Sequence, residues 1–129
     1  MKGHEADYKQ SYANMLGMLK LLYKNGITFV PGTDDFPGFA LHRELELYAQ
    51  AGVPNKEVLQ MATLLSARIA GIDKEVGSIE VGKKANLILV DGDPTKNISE
   101  IRRVETTIKN GNLYDSKALY QSYGFGFWK

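Results

Sequence analysis

Gly32-Thr33-Asp34 closes an apolar run, Ile27-Thr28-Phe29-Val30, and opens a loop rich in Gly, Pro and Asp that extends to Ala40. A carboxylate at such a place has two ordinary uses. It accepts backbone N–H bonds where the chain turns, or, at the end of a buried strand, it works as a metal ligand or general base. Asp35 stands beside it with the same chemistry and reads as a loop carboxylate or a helix cap. His42 and Glu44 follow, near a predicted helix start, where they could line a substrate pocket or shape the loop.

The rest of the composition narrows the chemistry. Among 129 residues there is no cysteine, which excludes disulfides, thiolate catalysis and cysteine-ligated zinc. The two histidines, His4 and His42, lie far apart and form no His-x-His pair. Sixteen Lys and Arg stand against 15 Asp and Glu, a net charge of +1, so no bulk field draws nucleic acid or anionic lipid. The first ten residues are polar and nothing later runs apolar for about 18 residues, the length a membrane span needs. A soluble, cytoplasmic protein with neither nucleic-acid nor membrane partners is expected.

Two motifs mislead. Gly77 to Lys84 reads G-S-I-E-V-G-K-K, one residue short of a phosphate-binding loop because Lys84 stands where a Ser or Thr would hold magnesium. It also leads into a strand rather than a helix, so a β-turn is the reading. Asn97-Ile98-Ser99 matches a glycosylation sequon without secretory context, and Gly124-Phe125-Gly126 follows no βαβ unit.

The elements that must position Asp34 come from periodicity. Tyr8, Tyr12, Met15, Leu19 and Leu22 recur in steps of four and three and stop at Asn25-Gly26, an amphipathic helix. Ile27 to Val30 predicts a short buried strand, Leu41 to Gln50 a helix ended near Gly52, and Pro54-Asn55 a stronger helix through Val58, Ala62, Leu65 and Ile69 to Gly71. Beyond Gly71 the pattern changes to strands: Gly77 to Val81, Ala85 to Val90, and Val104, Thr106, Ile108 in alternation. Asn110-Gly111 is a hairpin signal with Asn112-Leu113-Tyr114 returning. The tail from Tyr120 carries Tyr123, Phe125, Phe127 and Trp128 and should dock, most simply on its own chain. The fold class is α/β.

Three stretches together resemble one family: Gly32-Thr33-Asp34 with His42-Arg43-Glu44-Leu45-Glu46-Leu47 and Ala51-Gly52; Ala62-Thr63 with Ser66-Ala67; and Gly77-Ser78-Ile79-Glu80-Val81-Gly82-Lys83-Lys84-Ala85-Asn86-Leu87-Ile88-Leu89-Val90-Asp91-Gly92-Asp93-Pro94 with Ile108-Lys109-Asn110-Gly111. The chain is similar to the C-terminal part of a metal-dependent amidohydrolase, of the imidazolonepropionase and prolidase-like group, over roughly Gly26 to Tyr114. Members usually carry Asp where Asn86 stands, a change read as structural. The resemblance implies the end of a (β/α)8 barrel over residues 1–72 and part of a composite antiparallel β-domain over 73–115; residues 116–129, beyond the resemblance, form the aromatic tail. Active sites of such barrels sit at the C-terminal ends of the strands, where Asp34 falls.

By the resemblance, Asp34 is both metal ligand and catalytic residue: it touches zinc or another divalent metal, takes a proton from the attacking water and passes it to the leaving nitrogen. His42 and Glu44 are the substrate-binding candidates for a small molecule cleaved at a C–N bond. The chain departs from the family in its ligands. A catalytic zinc site takes about three protein ligands and an open position, whereas the family's His-x-His pair, its mid-barrel bridge and its two further histidines have no counterpart among these residues. The expectation is that the chain alone is inactive and holds no metal by itself. Its partner would then be the missing N-terminal barrel portion, in one chain or as a split enzyme, or a second copy, as in a non-catalytic self-associating module.

Overall fold

The computed structural model describes residues 4–34, 39–124 and 126. Helix α1 (Glu5–Lys24) has Glu5 and Asp7 in its first turn and Lys24 in its last, charges that suit the two ends of the helix dipole. No residue of α1 is buried. Leu16, Leu19, Leu22 and Tyr23 are half covered, and Tyr8, Met15, Met18 and Leu21 are exposed, so the predicted stripe is only partly used. Gly26 at φ +68° reverses the chain.

Ile27 to Val30 is extended but is not a strand, correcting the sequence reading. The propensity is that of a strand, but a strand exists only by pairing, and no strand of the described residues lies beside it. Side chains hold the segment instead. Phe29 packs edge-on against Tyr48, ring centroids 5.1 Å apart, and the Tyr48 hydroxyl donates to the Val30 carbonyl at 3.2 Å.

Helix α2 (Ala40–Gln50) buries Leu45, Glu46 and Tyr48. The next helical stretch is α3 (Asn55–Gln60), a π-helical turn (Met61–Leu65) and α4 (Ser66–Ile69) in direct succession. Within it the Met61 carbonyl accepts the Ser66 backbone N–H five residues on, the bond of the widened turn, and also the Ser66 hydroxyl at 2.6 Å. Val58, fully buried, anchors a core of Leu45, Tyr48, Val53, Met61, Ile98 and Ile101.

Strands β1 (Leu87–Val90), β2 (Val104–Lys109) and β3 (Asn112–Asp115) form an antiparallel meander in that order, with Leu87 opposite Ile108 and Ile108 opposite Leu113. Asn110 and Gly111, at φ 51° and 81°, turn β2 into β3 as the Asn-Gly pair predicted. The Asn86 side-chain oxygen accepts the Asn110 N–H at 2.8 Å, a bond that an aspartate would accept equally well.

Gly77 to Val81, predicted as a strand, forms bends and a turn instead. Here too no strand of the described residues pairs with it. Lys83, in the P-loop lookalike, donates to the Asp73 carbonyl at 2.6 Å and the Ser78 hydroxyl at 2.5 Å. Gly77 itself is required: at φ +95°, a Cβ would lie 2.7 Å from the Ala67 Cβ and 3.1 Å from the Leu64 Cα. Gly77→Ala is expected to cost about 2 kcal/mol, read as a lower urea midpoint at unchanged slope.

Two elements were not foreseen. A 3-10 helix (Ile98–Arg102) starts at Asn97, whose side chain accepts the Ser99 N–H at 3.2 Å, so the sequon is a cap. Helix α5 (Ser116–Ser122) is capped by Asp115, which accepts the Ala118 N–H at 2.9 Å. From the aromatic tail, Tyr120 packs edge-on against Phe39 with centroids 5.5 Å apart, while Tyr123 is exposed. Phe125, Phe127 and Trp128 lie outside the described residues, as does Asp35. No described helix is long and apolar enough to cross a membrane.

Candidate active site

Asp34 sits where the extended segment ends, exposed, and makes no side-chain hydrogen bond or ion pair among the described residues. The backbone just before it is firmly held. Glu44, one turn into α2, accepts the Gly32 N–H at 3.2 Å through Oε1 and the Thr33 hydroxyl at 2.5 Å through Oε2. Tyr48, one turn further along the helix, shares its single hydroxyl proton between Oε1 at 2.8 Å and the more distant Val30 carbonyl at 3.2 Å. Burial together with Glu44 pushes the Tyr48 phenol far above its ordinary range, so it stays a donor.

His42 belongs to a different neighbourhood. Positions two apart on a helix project about 200° apart, and His42, half buried, lies in the field of Arg102 and Glu46. Burial first, and then Arg102, push its pKa below the ordinary value while Glu46 opposes them, which keeps the imidazole neutral near pH 7. The structure thus joins Glu44 to the backbone preceding Asp34 and turns His42 toward another cluster.

That cluster escaped the sequence reading. Glu46, buried on α2, receives a forked pair from Arg102 of the 3-10 helix, Nε to Oε1 at 2.6 Å and Nη2 to Oε2 at 3.1 Å. Arg43 adds a bond at 3.1 Å, and its other nitrogen donates to Tyr12 of α1 at 3.2 Å. The Arg102 hydrogen bonds hold the Glu46 carboxyl down at about 2 against the opposing effect of burial, with help from Arg43 and Ser99. The Arg43–Glu46 spacing of three was visible in the sequence; the Arg102 partnership, across 56 positions, was not. A concavity of about 500 Å³ lies between the two groups, lined by Thr33, Phe39, Arg43, Glu44, Leu47 and Arg102.

The described residues do not fit a complete metal centre. No three His, Asp or Glu side chains converge among the described residues, and Asp34 alone is one carboxylate.

Comparison with known proteins gives a consistent picture. The family model described as "Amidohydrolase family" matches residues 10–114. A 5-methylthioadenosine/S-adenosylhomocysteine deaminase of Thermoanaerobacter pseudethanolicus (strain ATCC 33223 / 39E) is 32% identical over 119 residues, covering 71% of this chain and 27% of that protein. An imidazolonepropionase of the same strain is 34% identical over 85 residues, covering 62% and 20%. Among solved structures, a Xaa-Pro dipeptidase with bound methionine in the active site is 32% identical with a TM-score of 0.73, covering 78% of this chain and 25% of that one. The chain therefore spans about a quarter of the length of these relatives.

Proposed function

The chain belongs to the amidohydrolase family, and from that membership we propose that it is the C-terminal part of a hydrolase of C–N bonds, a (β/α)8 barrel whose last-strand carboxylate is Asp34. The relatives named as deaminases, imidazolonepropionase and dipeptidase support the C–N bond as the common target. One observation supports the reading: 78% of this chain superposes on 25% of a Xaa-Pro dipeptidase chain, and within this chain Asp34 stands at the end of the extended segment. The remaining barrel and the other ligands for zinc or another divalent metal come from polypeptide outside these 129 residues. Ile27 to Val30, extended and unpaired among the described residues, is where the rest of the barrel would add its strands.

A second reading, self-association, is favoured by the sheet: β1 and β3 are both edge strands, and Ile88, Leu89 and Leu113 are exposed on them.

The purified chain, tested by elemental analysis, light scattering and hydrolysis of a Xaa-Pro dipeptide and a cyclic amide, is expected to hold no stoichiometric zinc and to be inactive. Activity should appear with a polypeptide carrying the other three quarters of a related hydrolase. One zinc per chain with hydrolysis by the chain alone would overturn the proposal, and a metal-free compact oligomer that no complement activates would favour self-association.

A further inference from the structure

We propose that Glu44 is a positioning residue for the Asp34 carboxylate, acting by gripping the two residues in front of it. Three donors converge on its two oxygens: the Gly32 N–H, the Thr33 hydroxyl and the Tyr48 hydroxyl. An ionised carboxylate is the side chain suited to this, because it is acceptor-only with about four lone-pair sites. The anchor is rigid, since α2 is packed into the core through Leu45 and Tyr48. Asp34 is the next residue after Thr33, about 3.8 Å further along the Cα trace, so fixing Thr33 fixes the origin of the Asp34 side chain.

Tyr48 reinforces the arrangement from the same helix, because its hydroxyl reaches both Glu44 and the Val30 carbonyl. Val30, Gly32 and Thr33 are thereby tied to one face of α2, and the approach to Asp34 is held without any described strand beside it. A substrate cation seeking Glu44 would compete with three donors already in place.

The catalytic consequence rests on Asp34 being the last-strand carboxylate of a hydrolase; the order of the loop does not. Nitrogen-15 relaxation on the full 129-residue chain separates the two. The order parameters of Thr33 and Asp34 are expected near 0.85 in the native chain and below about 0.6 in Glu44→Ala, the rigid and flexible ranges for a backbone. Glu44→Gln should restore them, since its amide oxygen accepts from Gly32 and Tyr48 and its amide nitrogen donates to the Thr33 oxygen. Unchanged order in Glu44→Ala, or no recovery in Glu44→Gln, overturns the proposal. If Glu44→Ala does not fold, Thr33→Val removes one of the three bonds and should still lower order at Asp34, and no change there overturns it equally. In the complemented hydrolase, Glu44→Ala should lower kcat with little effect on KM, and Glu44→Gln should recover most of the loss. A raised KM at constant kcat in both variants would make Glu44 a substrate ligand instead. An inactive assembly leaves the relaxation result standing and fails only the catalytic role of Asp34.

Discussion

Asp34→Asn is expected to lower kcat of the complemented hydrolase by about 100- to 10,000-fold, the range that a positioned acid or base contributes. An amide has the same shape but can neither take the proton of the attacking water nor deliver one to the leaving nitrogen. Because the interaction proposed for Asp34 is made in the transition state, kcat and kcat/KM should fall together while KM moves little. The surroundings make this substitution clean. Asp34 is exposed and has no side-chain bond among the described residues, so the isolated variant should unfold within about 0.5 kcal/mol of the native chain. Steady-state kinetics of the assembly, with urea unfolding of the chain as the control, reads both effects. Asp35→Asn serves as the comparison, since the Gly-Thr-Asp motif ends on the first carboxylate, and a loss under tenfold is expected there. Activity within threefold of native in Asp34→Asn would remove this residue from catalysis.

Legibility from the sequence divided along the range of the interactions. Helix α2 and the stretch from Asn55 to Ile69 could be read because their apolar spacing and end signals are local. The hairpin at Asn110-Gly111 could be read because positive φ at both positions is a property of those residue types. Ile27–Val30 and Gly77–Val81 read as strands because composition reports propensity, while pairing depends on a neighbour that composition does not contain. Helix α5 was hidden by the aromatic count of the tail, although Asp115, three residues ahead of Ala118, was a usable capping signal. Asp34 was singled out by its type and its place after the apolar run, and it lies exposed at the end of the extended segment. The grip of Glu44 on Gly32 and Thr33 was not legible, because a separation of 11 or 12 residues between a loop and a helix carries no periodicity.

The Glu46–Arg102 pair, the least legible of these contacts, carries the largest expected effect on stability. Removing one partner of a buried, hydrogen-bonded pair costs about 3–5 kcal/mol because the other charge is stranded. The two removals should differ. The Arg102 side chain is 30% exposed and can rehydrate when Glu46 is lost, whereas the Glu46 side chain is 10% exposed and keeps only Arg43 and Ser99 when Arg102 is lost. Arg102→Ala is therefore expected near the upper end of that range and Glu46→Ala near the lower. The pH dependence has a definite sign. The folded pKa of Glu46, about 2, lies below its ordinary value of 4.5, so its ionised form is favoured by folding. That stabilisation, on the order of 3 kcal/mol at 1.36 kcal/mol per unit, is present in full above about pH 4.5. It is lost as the pH falls from there toward 2. Glu46→Gln should lack this component, so native minus variant stability, measured by urea unfolding at pH 6, 4 and 3, should shrink as the pH drops. Parallel profiles for the two proteins would show that Arg102 does not hold Glu46 ionised in the folded chain.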